Sequence, residues 1–293
     1  MDTKNEIQEF LTSRRARISP ESAGLRRNGH RRVPGLRREE VAMLAGVSVD
    51  YYNKLERGNL SGVSEPVLVG IVAALRLTDV EERHLRDLMR SAETTVRPQR
   101  RRVEKPTVRV TVQRVLDSMT DIPAIVKNGR LDMVATNPLG RALFSRVFEG
   151  VAAGNYAKFI FLDPASREFL IDWEGGANDT VAVLRAAAGR DPLDRSLSDL
   201  VGELSTRSDD FRVRWAAHNV HQHSHGNKQL MHTIVGVMSF DYESLPLPAD
   251  EGFTLVVYSV EPRSASADAL QLLGSWMQTQ DAASRANPLT TEA

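Results

Sequence analysis

The sequence predicts a two-domain chain, an all-α helical bundle followed by an α+β domain. Three observations predict it. Apolar residues up to Met89 recur at the helical period. Runs rich in β-branched and aromatic residues appear only after Pro123. Between these regions lies Arg97-Pro98-Gln99-Arg100-Arg101-Arg102, a polar, basic, proline-containing stretch of the kind that links domains. We therefore expect a bundle over residues 1–95, a linker over 96–106, an α+β domain over 107–282 and a frayed tail over 283–293; 293 residues suffice for two domains.

The first helix is expected over residues 5–17, with Ile7, Phe10 and Leu11 inward. Ser19-Pro20 has the form of a cap followed by a proline at the first helical position. Asn28 to Gly35 is a basic loop, either solvated or gripping a nucleic-acid backbone. Leu36 to Ala45 reads as a helix with Leu36, Val41, Leu44 and Ala45 apolar. Gly46 then supplies a left-handed residue just past its end. Ser48 caps the next helix, Val47 and Tyr52 take the positions of a hydrophobic staple, and Gly58 ends it. Two helices locked at a large angle, the second with a polar outer face, form a helix-turn-helix. That face is Val49, Asp50, Tyr51, Asn53 and Lys54, side chains suited to base edges and phosphates. Ser64 with Pro66, and Thr78 with Glu81, open two further helices.

Composition agrees with this reading. Hydrophobic content of 41% and charged content of 26% are those of a globular protein. With no cysteine, thiol chemistry, disulfides and cysteine-based zinc sites are excluded, which suits a reducing cytoplasm. No apolar run reaches the length of a membrane span. The net charge of zero is unevenly divided: residues 1–105 carry 21 basic and 15 acidic side chains, and the remainder carry 17 and 23. Nine arginines fall between Arg14 and Arg38 with one acid, Glu21. A basic stretch beside a helix-turn-helix points to phosphate contact.

In the second domain Val112, Val115, Leu116 and Met119 suggest a short helix. Pro123 to Lys127 is a strand, Asn128-Gly129 a tight hairpin turn and Leu131 to Thr136 the returning strand. Asn137-Pro138 starts a helix. Asp163-Pro164 is expected to cap a longer helical region carrying Phe169, Trp173, Val181 and Leu184, kinked or broken at Gly175-Gly176, since each glycine costs roughly 1 kcal/mol relative to alanine. Helices follow at Leu197 to Leu204 and after Ser208. Ile234 to Tyr242 and Phe253 to Val260 read as strands, and Ser264 to Gln280 as a last helix. An antiparallel sheet with helices across one face leaves a hollow able to take a small apolar ligand.

The ordered landmarks resemble the MmyB-like bacterial transcription regulators. In the first half they are Gly35-Leu36-Arg37-Arg38-Glu39-Glu40-Val41-Ala42, Leu44-Ala45-Gly46-Val47-Ser48, Tyr51-Tyr52 and Leu55-Glu56. In the second they include Phe161-Leu162-Asp163-Pro164, Asp172-Trp173-Glu174, Leu184-Arg185, Leu200-Val201, Arg207-Ser208, Phe211, Trp215, His218, Gly226, Lys228, His232 and Trp276. The resemblance covers about residues 8–278. It implies a lambda-repressor-like helix-turn-helix joined to a PAS-like ligand-binding domain in a cytoplasmic, dimeric regulator; some members are linked to fatty-acid-like ligands. It implies base-reading roles for Val49, Asp50 and Lys54, and phosphate contacts from Arg38, Ser48 and Tyr51, with Asn53 as a further candidate. Gly175-Gly176 and Gly70 depart from the pattern, the first where a helix usually continues and the second at a cost in stability alone.

Five of the seven histidines lie between His218 and His232. No carboxylate or cysteine lies among them, which argues against a metal. His218 and His232, with Arg207, can instead hold a ligand carboxylate, or the two histidines can be hydrogen-bonded structural groups. Phe144, Trp173, Phe211, Trp215 and Met238 can line an apolar pocket or be plain core. Asn137, after the second strand, is a further polar candidate. The sequence shows no nucleophile elbow, phosphate-binding glycine loop or metalloprotease motif, so no enzyme and no cofactor are expected. The expected partners are operator DNA, a small apolar or amphipathic ligand and a second copy of the chain, with no membrane. The alternative is a DNA-binding protein whose second domain serves only dimerisation or protein contacts.

Overall fold

The structure, a computed structural model, describes residues 3–25, 33, 35–60, 62–93, 107–217 and 225–286. The expected linker, most of the basic loop before Gly35, and His218, His221 and His223 lie outside the described residues. The chain forms two compact units. The first gathers Met1–Arg101 with Ala182–Gly202 and Arg212–Gln222; the second gathers Arg102–Val181, Glu203–Phe211 and His223–Ala293.

Five helices build the N-terminal part of the first unit: α1 (Thr3–Arg17), α2 (Arg38–Leu44), α3 (Val49–Glu56), α4 (Glu65–Ala74) and α5 (Asp79–Glu93). Ile7, Phe10, Leu36, Val41, Tyr52, Leu55, Leu68, Ile71 and Leu85 share one core. The caps follow the sequence. Gly46 takes φ +68°, and Ser48 Oγ accepts from the Tyr51 amide at 3.1 Å. Thr78 and Glu81 cap each other: Glu81 Oε2 accepts from the Thr78 amide at 2.9 Å and Thr78 Oγ1 from the Glu81 amide at 3.4 Å.

Three expectations fail in this unit. Ser19-Pro20 opens a turn, not a helix, and Gly24 at φ +75° ends it. Leu44 faces solvent beside the exposed Met43. Gly70 is more than a stability cost. A Cβ there would lie 2.5 Å from the Ala45 carbonyl oxygen, so α4 can pass this close to the end of α2 only without a side chain.

The second unit holds a five-stranded antiparallel sheet in the order β2-β1-β5-β4-β3, from β1 (Ala124–Lys127), β2 (Met133–Thr136), β3 (His225–His232), β4 (Gly236–Pro246) and β5 (Thr254–Ser259). Its helices are α6 (Val110–Ser118), α7 (Pro138–Leu143), α8 (Tyr156–Leu162), α9 (Ser166–Phe169) and α13 (Ala265–Ala286), with a 3-10 turn at Ser145–Phe148. Helix α10 (Trp173–Arg190) begins in the second unit and α11 (Arg195–Arg207) ends there; α12 (Asp209–Ala216) starts there. Strand alternation gives the sheet two faces. Ile125, Val256, Tyr258, Met238, Phe240 and Leu230 face the main core with Phe144, Phe159 and Leu273. Ala124, Val126 and Leu255 face a smaller core with Val112 and Leu116 of α6.

Four further expectations are corrected. The region after Pro164 is not one helix: α9 stops at Phe169, and Leu170 bridges to Leu230. Helix α10 is unbroken at Gly175-Gly176, which sit in its first turn. The Gly175 amide donates to Asp172 Oδ1 at 2.9 Å, and a Cβ on either glycine would strike Asp172 or Leu170. In the β1–β2 hairpin the left-handed residue is Leu131, at φ +64°, so the turn is longer than two residues and β2 starts at Met133. Strand β3 was absent from the sequence reading, because His225 to His232 lacks the β-branched residues that mark strands.

Candidate nucleic-acid interface and ligand site

In the first unit α3 is divided along its length. Tyr52, Leu55 and Glu56 are buried, whereas Ser48, Val49, Asp50 and Lys54 are exposed and Tyr51 and Asn53 are half-buried. Ser48, Val49, Asp50 and Lys54 of the predicted outer face thus stand in solvent, while Tyr51 also packs partly against the bundle core. Arg38, at the start of α2, is about half exposed and donates from Nε to Glu56 Oε1 at 2.8 Å. Glu56 also accepts from Arg15, at 3.0 Å to Oε2 and 3.1 Å to Oε1, and from Thr12 at 3.3 Å. Burial would raise the Glu56 pKa, but the hydrogen bonds and charges of Arg15 and Arg38 outweigh it and hold the carboxyl below its usual range. This one carboxylate ties α1, α2 and α3 together and fixes the tilt of the outer face.

The basic stretch does two jobs. Arg14 and Arg15 are buried, pairing with Glu81 and Glu56, so those two charges hold the bundle and are not offered to a ligand. Arg37 and Arg57 remain at the surface near the motif, with Arg38 and Lys54.

The proposed ligand residues have different surroundings. Phe144, Met238 and Trp173 belong to the main core of the second unit. Phe144 packs edge-on against Phe169 and is tilted against Tyr258, and Trp173 donates from Nε1 to Ser166 Oγ at 3.1 Å. Phe211 is fully buried against Phe161. Arg207 is exposed and paired with Glu203 at 2.7 Å. Trp215 lies in the first unit, under the guanidinium of Arg185.

Asn137 and His232 have their polar atoms engaged within the fold. Asn137 caps α7: its Oδ1 accepts from Ala124 and Gly140, and its Nδ2 donates to Met119 and Ile122. His232 Nε2 faces the Ala142 carbonyl at 3.3 Å, and its Nδ1 accepts from the Ile234 amide at 3.3 Å. Burial pushes the His232 pKa down, against the carbonyl contact, so the ring is neutral at pH 7.

The sequence reading missed a second group. Lys127 of β1 and Lys228 of β3 point to the inner face of the sheet, by alternation with Ile125 and Leu230. The Lys228 ammonium lies 5.9 Å from the Tyr156 ring and 5.4 Å from the Tyr242 ring. Tyr258 stands beside Tyr242, with centroids 6.2 Å apart. Burial first, then the charge of Lys228, pulls the Lys127 pKa down to about 8 against the pull of Asp179. Lys228 was legible as a landmark of the resemblance and Lys127 as the residue two on from Ile125. Neither drew notice, since charged residues in strands normally face water.

Among the described residues no group of three or more acidic or histidine side chains could hold a metal, and no helix is long and apolar enough to cross a membrane. No curated protein matches the chain as a relative. Residues 9–85 match a helix-turn-helix domain family. Residues 108–273, more than half the chain, match the family described as the MmyB-like transcription regulator ligand binding domain. With an N-terminal helix-turn-helix and this C-terminal α+β domain, the chain belongs to the MmyB-like transcription regulators, DNA-binding proteins that carry a ligand-binding domain.

Proposed function

We propose that the protein is a cytoplasmic, homodimeric regulator that recognises a pseudo-palindromic operator through the outer face of α3. In this reading Val49, Asp50 and Lys54 read base edges: Lys54 donates to guanine, Asp50 accepts from cytosine and Val49 meets a thymine methyl. Arg38, Ser48, Tyr51 and Asn53 contact phosphates and set the register. The second unit takes a small apolar or amphipathic molecule between sheet and helices. That molecule shifts DNA affinity by no more than its differential affinity for two states of the protein.

The observation that carries the reading is the division of α3. Its inner residues are buried in the bundle core while every residue assigned to DNA is exposed or half-buried. Selection from a random duplex library with the purified full chain tests it. The expected product is a two-fold symmetric site with half-sites about one helical turn apart. Recovery of no enriched sequence would overturn it.

A further inference from the structure

Helix α1 carries a buried polar stripe where an apolar one would be ordinary. Glu6, Phe10 and Arg14 follow at i, i+4 and i+8, so they share one face, and all three are buried. Arg14 pairs with Glu81 of α5. Glu6 finds its partner 179 residues away. Arg185 of α10 donates from Nη1 to Glu6 Oε1 at 2.7 Å, with the two side chains 1% and 7% exposed. Its Nη2 donates to the Trp215 carbonyl, and the guanidinium lies 4.2 Å from the Trp215 ring centroid. Gly189, one turn further on, shares a face of α10 with Arg185. A Cβ there would lie 2.7 Å from the ring of His84, and the Gly189 carbonyl accepts from Ser91 Oγ at 2.9 Å. The His84 ring packs edge-on against Phe10, with centroids 5.2 Å apart. Within the first unit, then, the second half of α10 is seated on α1 and α5. Arg185 and Gly189 lie in the segment that matches the ligand-binding family, yet what they meet is the helix-turn-helix bundle.

Helix α1 also holds the DNA-facing motif at both of its own ends. Near its start, the Lys4 backbone runs against Gly58, the left-handed residue just past α3; a Cβ on Gly58 would lie 2.6 Å from the Lys4 Cα. Near its end, Arg15 grips Glu56 of α3 and the Leu36 carbonyl ahead of α2, and the Leu36 amide donates to the Arg15 carbonyl at 3.1 Å. Lys4 and Glu6 stand in the same first turn of α1, so the residue held by Arg185 and the residue set against α3 move together. Close-packed interiors transmit such displacements, since they yield little to compression. The path is short: Arg185, Glu6, Lys4, Gly58. We infer that Arg185 is a positioning residue for DNA recognition: by holding Glu6 it sets α1, and through α1 it sets the angle at which α3 presents Val49, Asp50 and Lys54. This rests on the reading of α3 given above. Leaving either buried charge alone is costly, so the pair admits few arrangements.

The test uses the full chain, the duplex recovered by the library selection above and a scrambled duplex of equal length. Base-edge contacts depend on the angle of α3, whereas non-specific phosphate attraction does not. Arg185→Met and Glu6→Gln, with folding checked by circular dichroism, should each lose about tenfold in operator affinity and keep the affinity for scrambled DNA. Glu6→Gln keeps the shape of the side chain and stands in if Arg185→Met does not fold. Arg185→Lys, which keeps the charge, should retain most of the operator preference. Leu197→Ala removes a buried side chain of α11 and none of these contacts; it should lower the melting temperature and keep the preference. Amide hydrogen exchange gives a readout independent of DNA. In Arg185→Met and Glu6→Gln it should speed up in the first turn of α1 and over Asn53 to Gly58, and stay unchanged in α4. An unchanged operator preference in both variants, or an equal loss in Leu197→Ala, would overturn the inference. So would faster exchange in α1 alone. Recovery of no operator would count against the α3 reading, and exchange would still judge the link from Arg185 to α3.

Discussion

Arg38 and Arg15 grip the same carboxylate, that of Glu56, from α2 and α1 respectively, with Arg38 Nε 2.8 Å from Oε1 and Arg15 Nε 3.0 Å from Oε2. The two arginines differ in what else they can do. Arg15 is buried and also donates to the Leu36 carbonyl at 2.7 Å, whereas Arg38 is about half exposed. Arg38→Ala should therefore cost less than ~1 kcal/mol of stability, as a partly solvated pair. It should weaken binding to all duplexes alike and reduce the slope of log affinity against log salt by about 1. Glu56→Ala should cost roughly 3–5 kcal/mol, because Arg15 is left buried without its counter-charge. Urea denaturation and salt-dependent fluorescence anisotropy separate the two effects.

Asp50 and Lys54 should behave differently from Arg38. Both are exposed on α3, and neither is part of the bundle core. Asp50→Asn and Lys54→Gln should leave the melting temperature within about a degree or two, as surface changes of ~0.5 kcal/mol or less do. They should change which operator is preferred, each by ~1–3 kcal/mol at one base-pair position. Library selection with each variant reads this directly, and an unchanged consensus in both would remove their base-reading role.

Gly70→Ala tests a packing claim whose sign is opposite to helix propensity. On propensity alone, alanine in the middle of α4 would add about 1 kcal/mol. Its Cβ would lie 2.5 Å from the Ala45 carbonyl oxygen, a backbone atom that cannot rotate away. Pushing α4 off α2 should cost ~1–3 kcal/mol net, seen as a lower melting temperature. A rise would show that the two helices can separate freely.

These cases mark what the sequence could and could not reveal. The turn and caps of the helix-turn-helix were legible because each rests on local chemistry: Gly46 at positive φ, Ser48 on the Tyr51 amide, Thr78 with Glu81. The outer face of α3 followed from its periodicity. Gly70 was misjudged because its reason lies on another helix. Strand β3 was missed for a related reason. Its inner positions hold a glycine and a lysine where an apolar alternation would have flagged a strand. Asn137 was singled out as polar and well placed, and its amide proved to be consumed by four backbone bonds, which only the tertiary structure displays.

Within the first unit, Arg185 of α10 donates to Glu6 of α1 at 2.7 Å, with both side chains almost wholly buried, and also to the Trp215 carbonyl. Burial raises the Glu6 pKa despite Arg185. Arg185→Met should therefore cost roughly 3–5 kcal/mol at pH 8. The loss should shrink at pH 5, where Glu6 can take up a proton and become neutral. Glu6→Leu combined with Arg185→Met should recover much of the loss, since an apolar pair strands no charge. Urea titrations at the two pH values check it; a double variant no better than the single would show that the carbonyl bond of Arg185 matters more than its charge.

Lys127 gives the chain a distinctive dependence of stability on pH. Burial, then the repulsion of Lys228, lowers its pKa from 10.5 unfolded to about 8 folded, with Asp179 opposing. Between these values the unfolded chain binds more protons than the folded one, so stability should rise with pH, by up to about 1.4 kcal/mol per pH unit. Three tyrosines of the second unit act in the opposite sense at higher pH. Tyr156 and Tyr258, raised chiefly by burial, and Tyr242, also raised, stay protonated in the fold while the unfolded chain ionises above about pH 10. The gain should therefore appear from pH 8 to 10 and fade beyond it. Lys127→Met should abolish the rise and be more stable than the parent at pH 7, because no buried charge remains to be desolvated. Urea midpoints at pH 7, 8.5 and 9.5 for both proteins are the measurement.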